Sequence, residues 1–381
     1  MSFDPQNTPG PIVLFGSGET SPSGQKVFDA LFRQLPPDPR CVLLETAAGF
    51  ELNSYQVIGR IGDFLQSHLQ NYHPQIEIIR ARQRNLPESP DNPAIVAPLL
   101  QADMIFMGPG SPTYAVRQLK NSLAWQILLA RHALGAALVF ASAGVVAVGS
   151  YALPVYEIYK AGEDLHWKDG LDLFGIYGLS LVLIPHWNNR EGGAEVDTSR
   201  CFMGRERFNR LARELPPGQT ILGIDENTAL LMNPQAGTGQ VLGAGEVTWI
   251  HVGHLHQGTR NADFASAAGL DEVVLRRGGH VHRYRTGETF PLSECCPLRM
   301  PAAGQGVPSE VWQQALEAAR FARREEVSEE APPEEVLRLV EERNEARRCK
   351  DWAAADTLRE RMAEMGWRVE DGKEGVKFRR R

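Results

Sequence analysis

No apolar run in this chain of 381 residues reaches the ~18–20 residues that a membrane-spanning helix needs. The longest candidate, residues 133–148, is interrupted by glycine and serine, so no membrane partner is expected. The opening residues Met1-Ser2-Phe3-Asp4-Pro5-Gln6-Asn7 lack a basic lead into an apolar stretch, and no secretory leader is read there. Cysteine is scarce: five residues, an odd number at irregular spacings, make no disulfide framework. An excess of positive charge is also missing. The net charge of −7 argues against a dedicated nucleic-acid coat, while leaving local basic patches open. These absences point to a cytoplasmic protein with reduced thiols. What remains is ordinary globular composition, 43 % hydrophobic and 23 % charged, long enough for about two to three domains.

The first three hundred residues alternate short apolar runs with helix-length segments. Pro11-Ile12-Val13-Leu14-Phe15 ends in Gly16-Ser17-Gly18, and Cys41-Val42-Leu43-Leu44-Glu45 ends in Thr46-Ala47-Ala48-Gly49. Met104-Ile105-Phe106-Met107 ends in Gly108-Pro109-Gly110-Ser111, and residues 179–184 end in Pro185-His186. This pattern predicts β/α units around a mostly parallel sheet, whose functional groups gather at the carboxyl ends of the strands. Between Gly218 and Leu292 shorter, glycine-punctuated runs predict antiparallel strands added to the sheet's edge. Residues 301–333, rich in Glu, Arg and Ala with proline at both ends, read as a helical linker. Residues 334–381 read as a separate tail. Leu337, Val340, Asn344 and Arg347 mark one helix, Ala353, Leu358 and Met362 mark the face of a second, and a short hairpin follows Gly366.

The run Ala137-Leu138-Val139-Phe140-Ala141-Ser142-Ala143-Gly144-Val145 is the most informative stretch. An apolar strand stops at a corner of small residues and gives way to a helix, the layout of a nucleophile elbow. Such a corner lifts a hydroxyl out of the sheet, beside backbone N–H groups that have no partner inside the helix and can hold an oxyanion. Nucleophilic serine chemistry also needs a base and an acid to orient it. Two strand ends supply them: His186, and the acids of Gly223-Ile224-Asp225-Glu226-Asn227-Thr228-Ala229.

Residues 10–295 resemble the serine peptidases that include dipeptidase E and cyanophycinase. Ala141-Ser142-Ala143-Gly144 is similar to that family's Gly-Thr-Ser-Ala-Gly motif, and residues 223–229 to its Gly-Ile-Asp-Glu-x-Thr-Ala segment. Arg205-Glu206-Arg207-Phe208-Asn209-Arg210-Leu211 is similar to its Arg-x-Arg-x-x-Arg-Leu segment. The resemblance implies a flavodoxin-like fold, close to class I glutamine amidotransferases, over residues 1–300. It implies Ser142 as nucleophile, His186 as base and Glu226 as the residue orienting it, with Asp225 the alternative. The N–H of Ala143 and the turn at Gly110 would form the oxyanion hole, and Arg205 and Arg207 would hold a substrate carboxylate. It implies no cofactor and a homodimer. The substrate would be a small peptide or amide, with an acidic or aspartyl group among the options. Pro109 departs from the pattern because it has no N–H to offer the hole. The segments at 154–160 and 187–201 are longer than in such relatives.

The tail resembles the C-terminal region of cysteinyl-tRNA synthetase, the anticodon-recognition end of that family. Its basic, aromatic terminus Lys377-Phe378-Arg379-Arg380-Arg381 suits phosphate contact, which makes tRNA or RNA one expected partner and a protein docked on a helical hairpin another. The alternative for the whole chain is a non-catalytic small-molecule scaffold with such a tail. His251, His254, His256, His280 and His282 raise the question of a metal, since histidines two apart on a strand share a face. No acidic or cysteine ligand accompanies them at zinc-finger spacing, and no metal is expected.

Overall fold

The computed structural model describes residues 8–252, 270–276, 279–327, 333–349, 351–372 and 375–380. Two compact units divide the chain, Met1–Ala318 and Ala319–Arg381. The first begins with β1 (Ile12–Phe15), α1 (Pro22–Phe32), β2 (Arg40–Leu44), α2 (Ser54–His68), β3 (Gln75–Ile79), α3 (Pro93–Val96) and β4 (Met104–Met107). Next come α4 (Pro112–Leu119), α5 (Leu123–Ala133), β5 (Ala137–Ala141), α6 (Ala143–Ala147), β6 (Tyr151–Ala152), α7 (Val155–Tyr159), β7 (Lys168–Asp169), β8 (Leu181–Ile184) and α8 (Gly204–Glu214). Then follow β9 (Thr220–Ile224), β10 (Thr228–Asn233), β11 (Thr238–Gly243), β12 (Glu246–His251), α9 (Leu270–Arg276), β13 (Val281–Arg285) and β14 (Thr289–Pro291), and α10 (Ser309–Val327) runs through the division at Ala318.

Why the apolar runs become central strands is clear from their burial. Every residue of β1, β4 and β5 is buried, because helices cover both faces of a parallel sheet. Side chains alternate between the two faces. Ile12, Leu14, Val42, Leu44, Ile105, Met107, Leu138 and Phe140 enter one core. Val13, Phe15, Cys41, Leu43, Met104, Phe106, Val139 and Ala141 enter the other. Helix starts are written locally: the Ser21, Asn92, Ser111 and Ser122 side chains accept the N–H of Gly24, Ala94, Tyr114 and Trp125, satisfying donors the helix leaves unpaired. Pro22, Pro93 and Pro112 follow three of these caps, where the missing N–H costs nothing.

The large sheet has the order β14-β11-β10-β1-β5-β4-β2-β3, with β1, β5, β4, β2 and β3 parallel and β10, β11 and β14 antiparallel. It is a mixed α/β fold of the flavodoxin-like type, with antiparallel strands added beyond β1. One part of the sequence reading needs correction. The run at 181–184 and the strand at 246–251 do not join this sheet; they form a second one, β13-β12-β9-β8, in which β8 and β9 are parallel neighbours. Periodicity marks a strand but not its partner. β3, with its alternating exposed and half-buried residues, was not anticipated by the apolar-run reading.

His132 shows how the core constrains titration. It is fully buried, its Nε2 is 2.5 Å from the Tyr177 hydroxyl, and burial lowers its pKa to about 4. The unfolded chain takes up this proton near pH 6.5, so between pH 6.5 and 4 unfolded molecules bind more protons and stability falls with pH. The expected loss, complete near pH 4, is roughly 3 kcal/mol. Urea titrations across that range check it; His132→Gln flattens the slope.

The second unit holds α11 (Glu334–Arg348), α12 (Trp352–Glu364) and the antiparallel hairpin of β15 (Trp367–Gly372) and β16 (Gly375–Arg380). Its core is Val336, Leu339, Val340, Met362, Trp367 and Val369. The face read for α12 holds at Met362 and Leu358, which pack in or against this core, and departs from the reading at one end. Leu337 is 42 % exposed while Val336 is buried, and Ala355 rather than Ala353 is buried in α12. In a charge-rich helix with few apolar residues several registers fit, and only the partner helix selects one.

Candidate active site

Ser142 follows β5 directly with φ 50° and ψ −114°, a left-handed backbone that non-glycine residues rarely adopt. Gly144 is what lets the chain turn there: a Cβ on it would lie 2.3 Å from the Met107 carbonyl oxygen at the end of β4. The Gly144 N–H donates to Gly108 O at 3.2 Å, tying the two strand ends together. Across the corner, Gly110 has φ 143°, and a Cβ there would meet Ala47 O at 2.1 Å. Ser111 donates to the same Ala47 oxygen and caps α4. Among the described residues the Ala143 and Gly110 N–H groups have no acceptor in the chain, and both residues line the cavity that holds Ser142.

The second sheet brings the other groups. β8 and β9 run side by side, with Ile184 paired to Gly223, so their ends present His186 and Glu226 together. The His186 N–H donates to Gly16 O at 3.1 Å, linking this edge to the loop after β1. Ser142 Oγ is 3.2 Å from His186 Nε2, and His186 Nδ1 is 3.1 Å from Glu226 Oε1. The carboxylate accepts only if Nδ1 carries the hydrogen, which leaves Nε2 free to accept from the serine hydroxyl. Asn189, buried to 2 % exposure, donates through Nδ2 to the same Glu226 oxygen at 2.7 Å. Asn188 Oδ1 accepts the Glu226 N–H at 2.9 Å. Hydrogen bonds from His186 and Asn189 hold the Glu226 carboxyl below its ordinary value against the opposing effect of burial. The two asparagines lie in the loop that follows β8, and sequence reasoning missed them. Their signal was an Asn pair two residues beyond a strand-end histidine.

Asp225 faces away from this chain of contacts. Its Oδ2 accepts the Glu246 N–H at 3.1 Å, and burial raises its carboxyl. Arg205 and Arg207 are also engaged elsewhere. Arg205 holds Asp197 through Nε at 3.3 Å, and Arg207 donates to Met203 O and Phe202 O at 2.6 and 3.0 Å. Neither arginine lines the cavity, and both secure the loop that precedes α8. Cys201 lines it beside His186, but burial and then the nearby Glu226 charge push its thiol up to about 12. A protonated thiol is a poor nucleophile, which leaves the hydroxyl of Ser142 as the group His186 can activate.

The cavity measures about 370 Å³ and opens between α4, α6, α7 and the 186–202 loop. The histidines on the far strands behave as strand residues. His251 Nδ1 is 2.9 Å from Thr220 Oγ1, and no group of three metal-ligating side chains occurs among the described residues. His254 and His256 lie outside them. Among the described residues no helix is long and apolar enough to cross a membrane.

Comparison with known proteins divides along the same lines. A crystal structure of a peptidase from an acI-B1 Actinobacterium superposes with TM-score 0.53 at 20 % identity, covering 75 % of this chain and 98 % of that one. Residues 329–379 match the family described as "Cysteinyl-tRNA ligase anticodon binding domain". The chain is 51 % identical over 51 residues to the cysteine–tRNA ligase of Methanosarcina mazei, 13 % of this chain and 11 % of that ligase. With the cysteine–tRNA ligase of Cronobacter sakazakii it shares 40 % identity over 110 residues, 29 % of this chain and 23 % of the ligase. The chain thus spans less than a quarter of the curated relatives it matches. It shares its larger fold with a peptidase and carries a C-terminal segment similar to the anticodon-binding domain of cysteinyl-tRNA ligases.

Proposed function

We propose that the chain is a serine hydrolase that cleaves a small peptide or amide with Ser142, His186 and Glu226. The observation that carries the reading is the continuous contact from Ser142 Oγ through the His186 ring to Glu226, at 3.2 and 3.1 Å, within reach for proton transfer. In this reaction Ser142 Oγ attacks the carbonyl carbon as His186 Nε2 takes its proton. The imidazolium is stabilised by the Glu226 carboxylate. Collapse of the tetrahedral intermediate breaks the C–N bond, and the departing amine receives that proton from Nε2. Water then attacks the acyl ester, giving a proton to His186 Nε2, and collapse of the second tetrahedral intermediate breaks the ester bond, returns that proton to Ser142 Oγ and releases the acid. The N–H groups of Ala143 and Gly110 serve the oxyanion in both halves. Pro109 is then no obstacle, because the donor falls one residue later. No cofactor enters this scheme.

Incubation with a fluorophosphonate probe tests the reading. Wild type is expected to be labelled and Ser142→Ala not; equal labelling, or none in either, defeats it.

The match at residues 329–379 favours a second activity in the same chain, the binding of tRNA or another RNA by the tail. The basic run from Lys377 to Arg381 would supply phosphate contacts, so affinity should fall steeply with salt. Removing residues 334–381 is expected to abolish RNA binding in filter-binding assays while leaving serine labelling intact. RNA binding by a protein that no probe labels would instead favour the non-catalytic scaffold.

A further inference from the structure

We infer that the cavity beside Ser142 accepts an apolar or aromatic acyl side chain and rejects a carboxylate, an inference that rests on the serine-hydrolase reading above. The apolar part of the cavity lining includes Pro112, Val146, Val155, Cys201 and Phe202, and all but Phe202 are buried. A carboxylate brought among them would shed its water with no buried cation to receive it. The arginines that could have served are committed elsewhere. Asp197 holds Arg205 and two backbone carbonyls hold Arg207. Arg200 lies 3.7 Å over the Trp187 ring and donates to Trp187 O. The charged groups of the lining are Lys160 and Glu191, both exposed and of opposite sign. Lys160 Nζ sits 5.1 Å from the centre of the Tyr156 ring. Charges so hydrated bind a carboxylate weakly.

The aromatic wall is held in place at a conformational cost. Arg200, Cys201 and Phe202 have φ values of 61°, 56° and 68°, three successive left-handed residues without a glycine. Strain of this kind persists only where surrounding contacts enforce it, and it gathers at functional sites. Phe202, at the end of this stretch, lies 5.7 Å from the His186 ring and 5.6 Å from that of Tyr159, centroid to centroid. Tyr159 and Tyr156 meanwhile remain 44 % and 38 % exposed, at the open side of the same cavity. A volume of about 370 Å³ is at the small end of ligand pockets, enough for one side chain and its amide.

Two amides that differ only at the far end separate the possibilities: 3-phenylpropanamide and succinamate. Calorimetric titration of both into wild type and Ser142→Ala is expected to show the phenyl compound binding at least about tenfold tighter, a usual scale for pocket discrimination. Tyr159→Ala should erase most of that preference. Succinamate binding as tightly as the phenyl compound, or no binding by either, overturns the inference. Fluorophosphonate labelling of wild type is read separately: an aryl preference without labelling sinks the hydrolase reading, and labelling without the preference sinks only this one.

Discussion

Ser142→Ala is expected to lower hydrolysis by about 10⁴–10⁶-fold, the scale at which removal of a triad nucleophile leaves only binding and oxyanion stabilisation. The effect is large because no neighbouring group can substitute. Cys201 is held protonated by burial, and the hydroxyl is the group within reach of His186 Nε2. A glycine at the same position separates chemistry from conformation. Ser142 sits at φ 50° and ψ −114°, a backbone that costs an L-residue on the order of 1–3 kcal/mol and glycine much less. Ser142→Gly should therefore be as inactive as Ser142→Ala yet melt roughly 2–4 °C higher. Calorimetry of the three proteins, with turnover of a small amide, checks both halves. Retained turnover in the alanine variant removes the serine mechanism, and a lower melting temperature for the glycine variant removes the strain argument.

Glu226→Gln is expected to cost about 10⁴-fold in kcat, the loss found when a triad carboxylate becomes an amide and the imidazole is held in the wrong tautomer. Glu226 Oε1 accepts from both His186 Nδ1 and Asn189 Nδ2. A glutamine that accepts from Asn189 turns its amide hydrogens toward solvent or toward Nδ1, and the latter forces the ring proton onto Nε2. That nitrogen can then no longer accept from Ser142. Because the Glu226 carboxyl lies below its ordinary value, its pairing stabilises the fold above the pH at which an unfolded carboxyl ionises. The contribution disappears as pH falls through the lowered folded-state value. Asp225→Asn provides the contrast. Asp225 binds the Glu246 N–H, so its loss should disturb the β9–β12 connection and leave the rate within about tenfold of wild type, as expected of a residue with no contact to the reacting groups. A larger loss at Asp225 than at Glu226 would transfer the orienting role to Asp225.

The larger fold was legible because its central strands are wholly buried, and burial on two faces leaves a continuous apolar run in the sequence. The corner at Ser142 was legible for a related reason. Only small residues fit where Gly144 meets the Met107 carbonyl, so the close approach is written as Ala-Ser-Ala-Gly. The tail was legible as two helices and a hairpin, with Val340, Leu358 and Met362 turned to its core, but Leu337 and Ala353 lie outside that core, where few apolar residues leave the register open.

Residue type and local spacing thus determined which elements form, which corner could expose a hydroxyl, and which histidine and acids stood at strand ends. Tertiary structure alone decided the rest. It set β8 and β9 in a sheet of their own, chose Glu226 over its neighbour Asp225 as the partner of His186, and drew in Asn189 behind it. It also turned Arg205 and Arg207 to the support of a loop and placed Phe202 and Tyr159 in their stead at the cavity. The physical reason is that a one-dimensional pattern records which side chains must avoid water. Which two groups meet at 3 Å depends on pairings between residues 37 to 44 positions apart, where direction and register, not composition, carry the information.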